Sequence, residues 1–380
     1  MTVVGDLLLE FTELRPMGVE PLVLTLTEKN GFVSQADRFK KRLATEDTSK
    51  YKLVRRNDIA FNPYLLWAGA IAQNTVVEAG IISPLYPTFR AHKGFDPRYV
   101  ARLLLSPQMV AAYDGIAFGS VPRRRRSSVK DFLSLPVPEQ PPLYEQRRIA
   151  AILDQADALR AKRQQAFAHL DELIRSIFMN MFGDPLSNRH NLRKAAIGTV
   201  STVVTGNSPS RADADNFGDA IEWIKSDNLG GWTATAAQEG LSPRGREKAR
   251  TAPAGSVLVT CIAGSPNSIG KASLVDREVA FNQQINAILP SPALKTTFLL
   301  TQLKAAPALI QGKSTGGMKG LVSKSSFESI EILVPPMERQ RQFVDRVAYV
   351  MRQRARLESA YHASEILFAS LQFRAFRGEF

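Results

Sequence analysis

A chain of 380 residues with 44% apolar content is too long for one ordinary hydrophobic core and is expected to form two or more globular domains. No apolar run reaches the length of a membrane span, the opening residues lack a secretory pattern, and the single cysteine, Cys261, excludes an internal disulfide and fits a reducing cytoplasm. The 49 Lys and Arg against 36 Asp and Glu give a net charge of +13, an excess that suits a polyanionic partner, most simply nucleic acid.

The first block spans residues 1–140. Residues 22–34 (LVLTLTEKNGFVS) alternate apolar and polar side chains and turn at Asn30-Gly31, which predicts two strands. Residues 51–63 (YKLVRRNDIAFNP) read as a further strand with a turn at Asn57-Asp58, and residues 80–90 are β-rich but cut by Pro84 and Pro87. Helical spacing in residues 99–113 is interrupted at Pro107. Residues 119–129 (GSVPRRRRSSV) form a basic loop, and residues 132–138 are expected to close the block as a strand.

The second block, residues 185–334, repeats this order with different residues. A turn-rich loop (VVTGNSPSR, 203–211) precedes a strand with a polar tip (IEWIKSDNL, 221–229). Residues 255–275 read as two strands around a Gly/Ser/Pro loop, residues 281–291 as one strand, and residues 296–310 as a short helix pair. A basic glycine-rich loop (312–327) and a closing segment (327–336) follow. At offsets near 199, Ile59 aligns near Val257, Ser83 near Asn282 and Tyr99 near Phe298, so the blocks share a plan while their loops diverge.

Between and after the blocks the chain repeats itself. Residues 141–184 superimpose without a gap on residues 335–378 at an offset of 194. Identical pairs include Pro141/Pro335, Gln146/Gln340, Arg147/Arg341, Arg160/Arg354, Leu173/Leu367 and Phe182/Phe376. Neither copy has Pro or Gly between its opening proline pair and its end, so each predicts a helix of about forty residues, roughly 60 Å long. In the first copy Ile149, Ile152, Ala156, Leu159, Arg163, Ala166, Leu170, Leu173 and Ile177 are spaced 3-4-3-4, as the seam of a coiled coil requires. In the second, Phe343, Val347, Val350, Arg354, Leu357, Tyr361, Ser364, Phe368 and Leu371 are spaced 4-3-4-3. The expected architecture is α+β with an internal pseudo-twofold repeat: two globular blocks separated by two long antiparallel helices that form a coiled coil. Two separate amphipathic helices, each covering its own block, are the other arrangement.

Catalytic constellations are not apparent. Asn62-Pro63-Tyr64 resembles the Asn/Asp-Pro-Pro-aromatic motif of amino-methyltransferases, but one proline and the glycine-rich cofactor loop are missing. Residues 264–271 (GSPNSIGK) resemble a phosphate-binding loop, with the wrong glycine spacing and Ala272 in place of Ser or Thr. His92, His169, His190 and His362 are scattered, so no metal-ligand spacing exists. Binding features are clearer. Arg123, Arg124, Arg125 and Arg126 are consecutive cations that correspond to the Lys313–Lys324 loop of the second block, where lysines and glycines suit phosphate contact. Lys225 to Asn228 and Asn282 to Gln284 are polar strand tips whose side chains suit base edges, although a structural role fits Asn282 and Gln283 equally well.

The pattern resembles the specificity (S) subunit of type I restriction-modification systems. The residues that carry the resemblance are PPL-x-EQ-x-x-I at 141–149, IAAILDQAD at 149–157, FGDP at 182–185, and PPMERQ at 335–340. In the second block TGNSPSR, WIKSDNL, IGK, NQQINAILP and GLVSKSSFESIEILVPP resemble family segments. The first block lacks the T-G-x-T-P entry and resembles a different recognition-domain subtype. The resemblance implies target-recognition domains at 1–140 and 185–334, a central spacer helix at 141–184 and a C-terminal one at 335–380. Each domain would read one half of a split double-stranded DNA site, with contacts expected at Asn62, Tyr64, Arg123, Arg124, Arg125, Arg126, Arg211, Lys225, Ser226, Lys271, Lys313, Ser314, Lys319 and Lys324. The helices would act as a ruler and dock two methyltransferase (M) subunits, with Gln146, Arg147, Arg160, Gln340, Arg341 and Arg354 at the docking surface. This chain would itself be non-catalytic and hold neither cofactor nor metal. S-adenosylmethionine for adenine-N6 methylation would sit in the partners, and ATP and Mg in motor-nuclease (R) subunits that join for cleavage. A stand-alone DNA methyltransferase or nuclease, and a coiled-coil protein-interaction scaffold, are the competing readings.

Overall fold

A computed structural model of the chain describes residues 2–15, 22–28, 30–38, 48–119, 125–315 and 320–380. The chain folds into two compact units, Met1–Gln164 with Ser359–Phe380, and Gln165–Glu358. Each unit therefore holds one block and part of both long helices, Leu143–Phe182 and Met337–Ala375.

The first unit contains two four-stranded sheets. In one, Leu8–Phe11, Thr88–Ala91, Ile59–Phe61 and Ile71–Gln73 lie side by side in that order, all antiparallel. In the other the order is Gly31–Ser34, Leu22–Thr27, Ala79–Ile82, Lys52–Arg55, with a parallel pair between Leu22–Thr27 and Ala79–Ile82. The predicted hairpin is present. Gly31 sits at φ +56, and a Cβ there would approach Ala72 Cβ to 3.0 Å, so the position requires glycine. The break predicted at Asn57-Asp58 is a turn with Asn57 at φ 73, which separates Lys52–Arg55 from Ile59–Phe61. Pro107 opens a second helix, Pro107–Gly115, after Pro97–Leu104, with Ser106 as its cap.

The second unit reproduces this plan. Val203–Thr205, Ile285–Ile288, Val257–Thr260 and Ala272–Leu274 form an antiparallel sheet in that order. Gly240–Leu241, Phe217–Ile224, Val279–Phe281 and Thr251–Ala252 form the other, again with one parallel pair, Phe217–Ile224 with Val279–Phe281. Strand order and the position of the parallel pair are the same in both units, although the first block lacks the sequence signature of the second. Two expectations are corrected. Residues 132–138 do not form a strand: Ser128 caps a short helix, Val129–Leu133, and only Pro136 bridges, to Val3. Residues 281–291 are not one strand, because Asn282 to Gln284 form the turn between Val279–Phe281 and Ile285–Ile288, which belong to different sheets.

The long helices complete both cores. In the first unit Ile149, Ala150 and Leu153 from one helix and Ala375 and Phe376 from the other join the cluster around Tyr99, Phe89 and Phe132. In the second, Phe178, Phe182, Phe343 and Val347 join Phe298 and Leu303. Within each unit the helix segments run antiparallel: Arg160 meets Glu365 and Arg163 meets Ala360 in the first, while Phe178 meets Phe343 and Asp171 meets Arg354 in the second.

The seam of the second helix is as predicted, with Phe343, Val347, Val350 and Ser364 buried. That of the first is corrected at alternate positions. Leu159 and Leu173 are 44% and 46% exposed, whereas Leu153 and Ile174 are fully buried. The phase is 149, 153, 156, 160, 163, 167, 170, 174, which maps onto the second helix at the offset of 194. Its middle is polar. Arg160 donates to Glu365 at 2.9 Å and lies 4.4 Å from the Phe368 ring centre; Arg354, its repeat partner, donates to Asp171 at 2.9 Å and lies 5.4 Å from that of Phe167. Asp171 and Glu365 are themselves related by the repeat offset, so one ion pair is built twice.

Four residues expected at a partner-docking surface therefore have tasks inside the chain. Gln146 is 2% exposed; its Oε1 accepts from Asp96 N at 2.9 Å, at the cap of Pro97–Leu104, and its amide donates to Pro141 O. Gln340 is 1% exposed and does the same for Lys295, at the cap of Thr296–Ala305, and for Pro335. Arg160 and Arg354 hold the helix pair. Arg147 and Arg341 remain exposed.

The corrected seam makes a prediction. Leu153→Ala and Ile174→Ala should each lower stability by about 2–5 kcal/mol, and Leu159→Ala and Leu173→Ala by no more than about 0.5 kcal/mol, measured as midpoint shifts in urea unfolding. Equal losses at both sets would return the seam to its 3-4-3-4 phase.

Candidate nucleic-acid interface

In the first unit, folding gathers residues from 62–67, 86, 114–118 and 125–127. Asn62 Oδ1 accepts from Tyr64 N at 3.1 Å, and its amide donates to the Tyr86 hydroxyl at 3.4 Å. These bonds make Asn62-Pro63-Tyr64 a turn. Ser127 N donates to Pro63 O at 2.9 Å and Trp67 Nε1 to Tyr64 O at 3.0 Å, which docks the strand Arg126–Ser127 against that turn. The Arg126 guanidinium then lies 5.7 Å from the ring centre of Tyr64, which is 39% exposed. Arg125 lies 5.4 Å from that of Trp67 and donates to the Asp114 carboxylate at 2.5 Å. Of the two arginines, Arg126 alone lacks an acidic partner among the described residues. Arg123 and Arg124 lie outside the described residues.

In the second unit the parallel strand pair does the gathering. Trp223 pairs with Ala280 and Ile224 with Phe281, so the polar tips that follow, Lys225-Ser226 and Asn282-Gln283-Gln284, emerge side by side at one end of the sheet, the edge formed by its strand termini. Gly206 brings a third segment to that edge. A Cβ there would sit 2.3 Å from both Phe281 O and Asn282 O, so only glycine admits this approach. The loop then delivers Ser208, which donates to Gln283 Oε1, and Asn207, whose carbonyl accepts from Trp223 Nε1 at 3.3 Å. Arg211 and Lys225 flank the Trp223 ring at 5.6 and 5.1 Å, and both donate to Glu239, at 2.8 and 2.9 Å. The bond from Lys225, with that from Arg211, holds the Glu239 carboxyl below its ordinary range. The result is two cations fixed over an aromatic wall beside a row of amides and hydroxyls.

Other expected contacts stand apart. Lys271 and Lys313 are exposed, Ser314 is half-buried, and Lys324 pairs with Glu328 at 3.5 Å; no hydrogen bond or ion pair joins them to the Trp223 cluster among the described residues. Lys319 lies outside the described residues. Cys261 is core: burial pushes its thiol up to about 12.

Residues 192–362 match the family profile described as the type I restriction modification DNA specificity domain. Over that segment the chain is similar to a type I restriction-modification DNA specificity domain. The type I restriction enzyme HindI specificity subunit of Haemophilus influenzae is 28% identical over 149 residues, 38% of this chain and 32% of that one, so the match spans about a third of the relative's length. Among solved structures, a type I restriction-modification S subunit from M. genitalium covers 98% of this chain and 95% of its own at 12% identity and a TM-score of 0.57. The HsdS subunit from Thermoanaerobacter tengcongensis covers 100% and 96% at 19% identity and a TM-score of 0.39. The M. genitalium likeness shows a shared fold.

The matched segment contains the whole Trp223 cluster. Sequence reasoning missed Glu239, Trp223 and Asp114, because nothing local marks a carboxylate 28 positions from the arginine that it fixes. A second polar link joins the domain to its helix segment: Trp232 Nε1 donates to Asp171 at 2.6 Å, and Lys304 donates to Gly230 O at 2.7 Å beside the Trp232 ring. Burial pushes the Lys304 amine down to about 8 against the opposing pull of Asp171.

Between about pH 8 and the ordinary 10.5 the folded state has lost the Lys304 proton while the unfolded state keeps it, so stability should rise across that window. Relative to Lys304→Met, the wild-type urea midpoint should climb across that window and stay level below it. A flat difference throughout would place the amine in water.

Proposed function

We propose that this chain is the DNA sequence-recognition subunit of a type I restriction-modification complex, and that each block reads one half of a bipartite site. The observation that carries the proposal is the Trp223 cradle inside the matched specificity domain. The first block supports it, because the same strand order there presents Tyr64 and Arg126 together. Arg211, Lys225 and Arg126 supply positive charge for phosphates, and the neutral amides and hydroxyls beside them suit base edges. Asn62 and Tyr64 shape the first surface. Lys271, Lys313, Ser314 and Lys324 would add phosphate contacts at its margin in the second.

On this reading residues 1–140 and 185–334 are the recognition domains and the two long helices are the spacer that sets half-site separation. The chain contributes recognition and no catalytic group. Two methyltransferase subunits carrying S-adenosylmethionine would modify adenine N6, and motor-nuclease subunits using ATP and Mg would complete the restriction assembly. Exposed Arg147 and Arg341, at repeat-related positions on the helices, would belong to the methyltransferase docking surface.

The full chain, assembled with methyltransferase subunits, should bind one bipartite DNA sequence in preference to others, with affinity falling as salt rises. Arg126→Ala should weaken all sequences alike and reduce the log–log salt slope by about one. Arg125→Ala, whose charge Asp114 already offsets, should change the slope less. Titration of labelled duplexes at several salt concentrations measures both, and absence of any sequence preference would overturn the proposal.

A further inference from the structure

We propose that Gln284 is a specificity-determining residue of the second block, a fixed hydrogen-bond donor that selects a base offering an acceptor in the major groove and rejects cytosine. The inference rests on the recognition-subunit reading and adds the chemistry of one contact to it.

The amide orientation follows from a backbone group. Gln284 N donates to Asn282 Oδ1 at 3.1 Å, which fixes the Asn282 side chain with its NH2 on the other side. That NH2 donates to Gln284 Oε1 at 3.2 Å, and Ser226 Oγ donates to the same oxygen at 3.2 Å. An oxygen that accepts twice leaves the amide one way to lie, with Nε2 turned away from both donors. Nε2 has no acceptor among the described residues, and Gln284 is half-buried, so its position is set while its donor stays accessible. A free glutamine reads adenine through a donor and an acceptor together. Here the acceptor is already engaged, and only the donor is presented. Guanine O6 and N7, thymine O4 and adenine N7 answer a donor in the major groove, whereas cytosine offers only its N4 amino group. Arg211 and Lys225, held by Glu239 on the same edge, are charged and suited to phosphates; the amide is neutral and contributes no counterion release.

The test is selection of bound sequences from a randomised duplex pool by the full chain assembled with methyltransferase subunits. Wild type should deplete cytosine about fivefold or more at one position of one half-site. Gln284→Glu keeps an oxygen for Asn282 and Ser226 and replaces the outward donor with an acceptor. It should reverse that position toward cytosine or adenine and away from guanine, with the other half-site unchanged. Gln284→Ala should abolish discrimination at that position alone. Asn282→Asp, which turns the orienting donor into an acceptor and so rotates the Gln284 amide, should reproduce the reversal. The inference is overturned if Gln284→Glu leaves every position unchanged, or if it weakens all sequences equally, as loss of a phosphate contact would. If wild type enriches no sequence, the recognition reading itself fails, and this inference with it.

Discussion

Tyr99 and Phe298 each pack against an aromatic ring from a long helix or its end. Phe376 provides it for Tyr99, at 5.6 Å between ring centres, and Phe182 for Phe298, at 4.9 Å. Phe182 and Phe376 are the last identical pair of the repeated segment, so each copy ends by closing a core. The helices also begin by doing so, through Ile149 in the first unit and Phe343 in the second. A fully buried side chain of this size contributes about 1.5–3 kcal/mol, and each unit draws several from the helix segments. The repeated segment is thus not an appendage that connects two finished domains. Without it neither block has a complete interior.

The same segment fixes backbone geometry at its start. The amides of Gln146 and Gln340 reach from the first turn of a long helix to the cap of a short one, so helix packing and block packing are set by one side chain. Leaving such a buried N–H without an acceptor costs about 1–3 kcal/mol. In the middle of the seam the polar pairs Arg160–Glu365 and Arg354–Asp171 take over from apolar contacts. A half-exposed ion pair of this kind adds little net stability, but its geometry favours one register of the two helix segments.

Much of this was legible in the sequence, and the failures have a common cause. The segment repeated at an offset of 194, the hairpin at Gly31, the break at Pro107 and the shared plan of the blocks all rest on spacing along the chain. The helix seam was misjudged at alternate positions because apolar matching prefers Leu159 over Arg160, and a 3-4-3-4 count through Leu159 then takes Ala166 in place of Phe167. The correct phase was nevertheless present in the second helix, and carrying it across by the repeat offset would have recovered it. The buried role of Gln146 and Gln340 could not be read, since identity between the copies marks importance without distinguishing surface from interior. The cradle around Trp223 was legible only in pieces. Its assembly depends on a parallel pairing between strands more than fifty positions apart and on Glu239, and neither leaves a local mark.

The net charge of +13 pointed to nucleic acid, yet the distribution of partners changes what that charge does. Around the second block, Arg244 pairs with Asp213 and Asp215, Arg246 with Glu278, Arg277 with Glu222, and Arg211 and Lys225 with Glu239. Exposed pairs of this kind contribute about 0–1 kcal/mol to folding, so stability is not their main consequence. They hold cations in place and reduce their pull on phosphates. Phosphate attraction is common to every sequence and weakens with salt, whereas a neutral donor such as that proposed for the Gln284 amide would discriminate among bases without releasing counterions. On the proposed reading, a surface whose cations are restrained by carboxylates and whose neutral groups are oriented would shift the balance of binding from affinity for any DNA toward preference for one sequence.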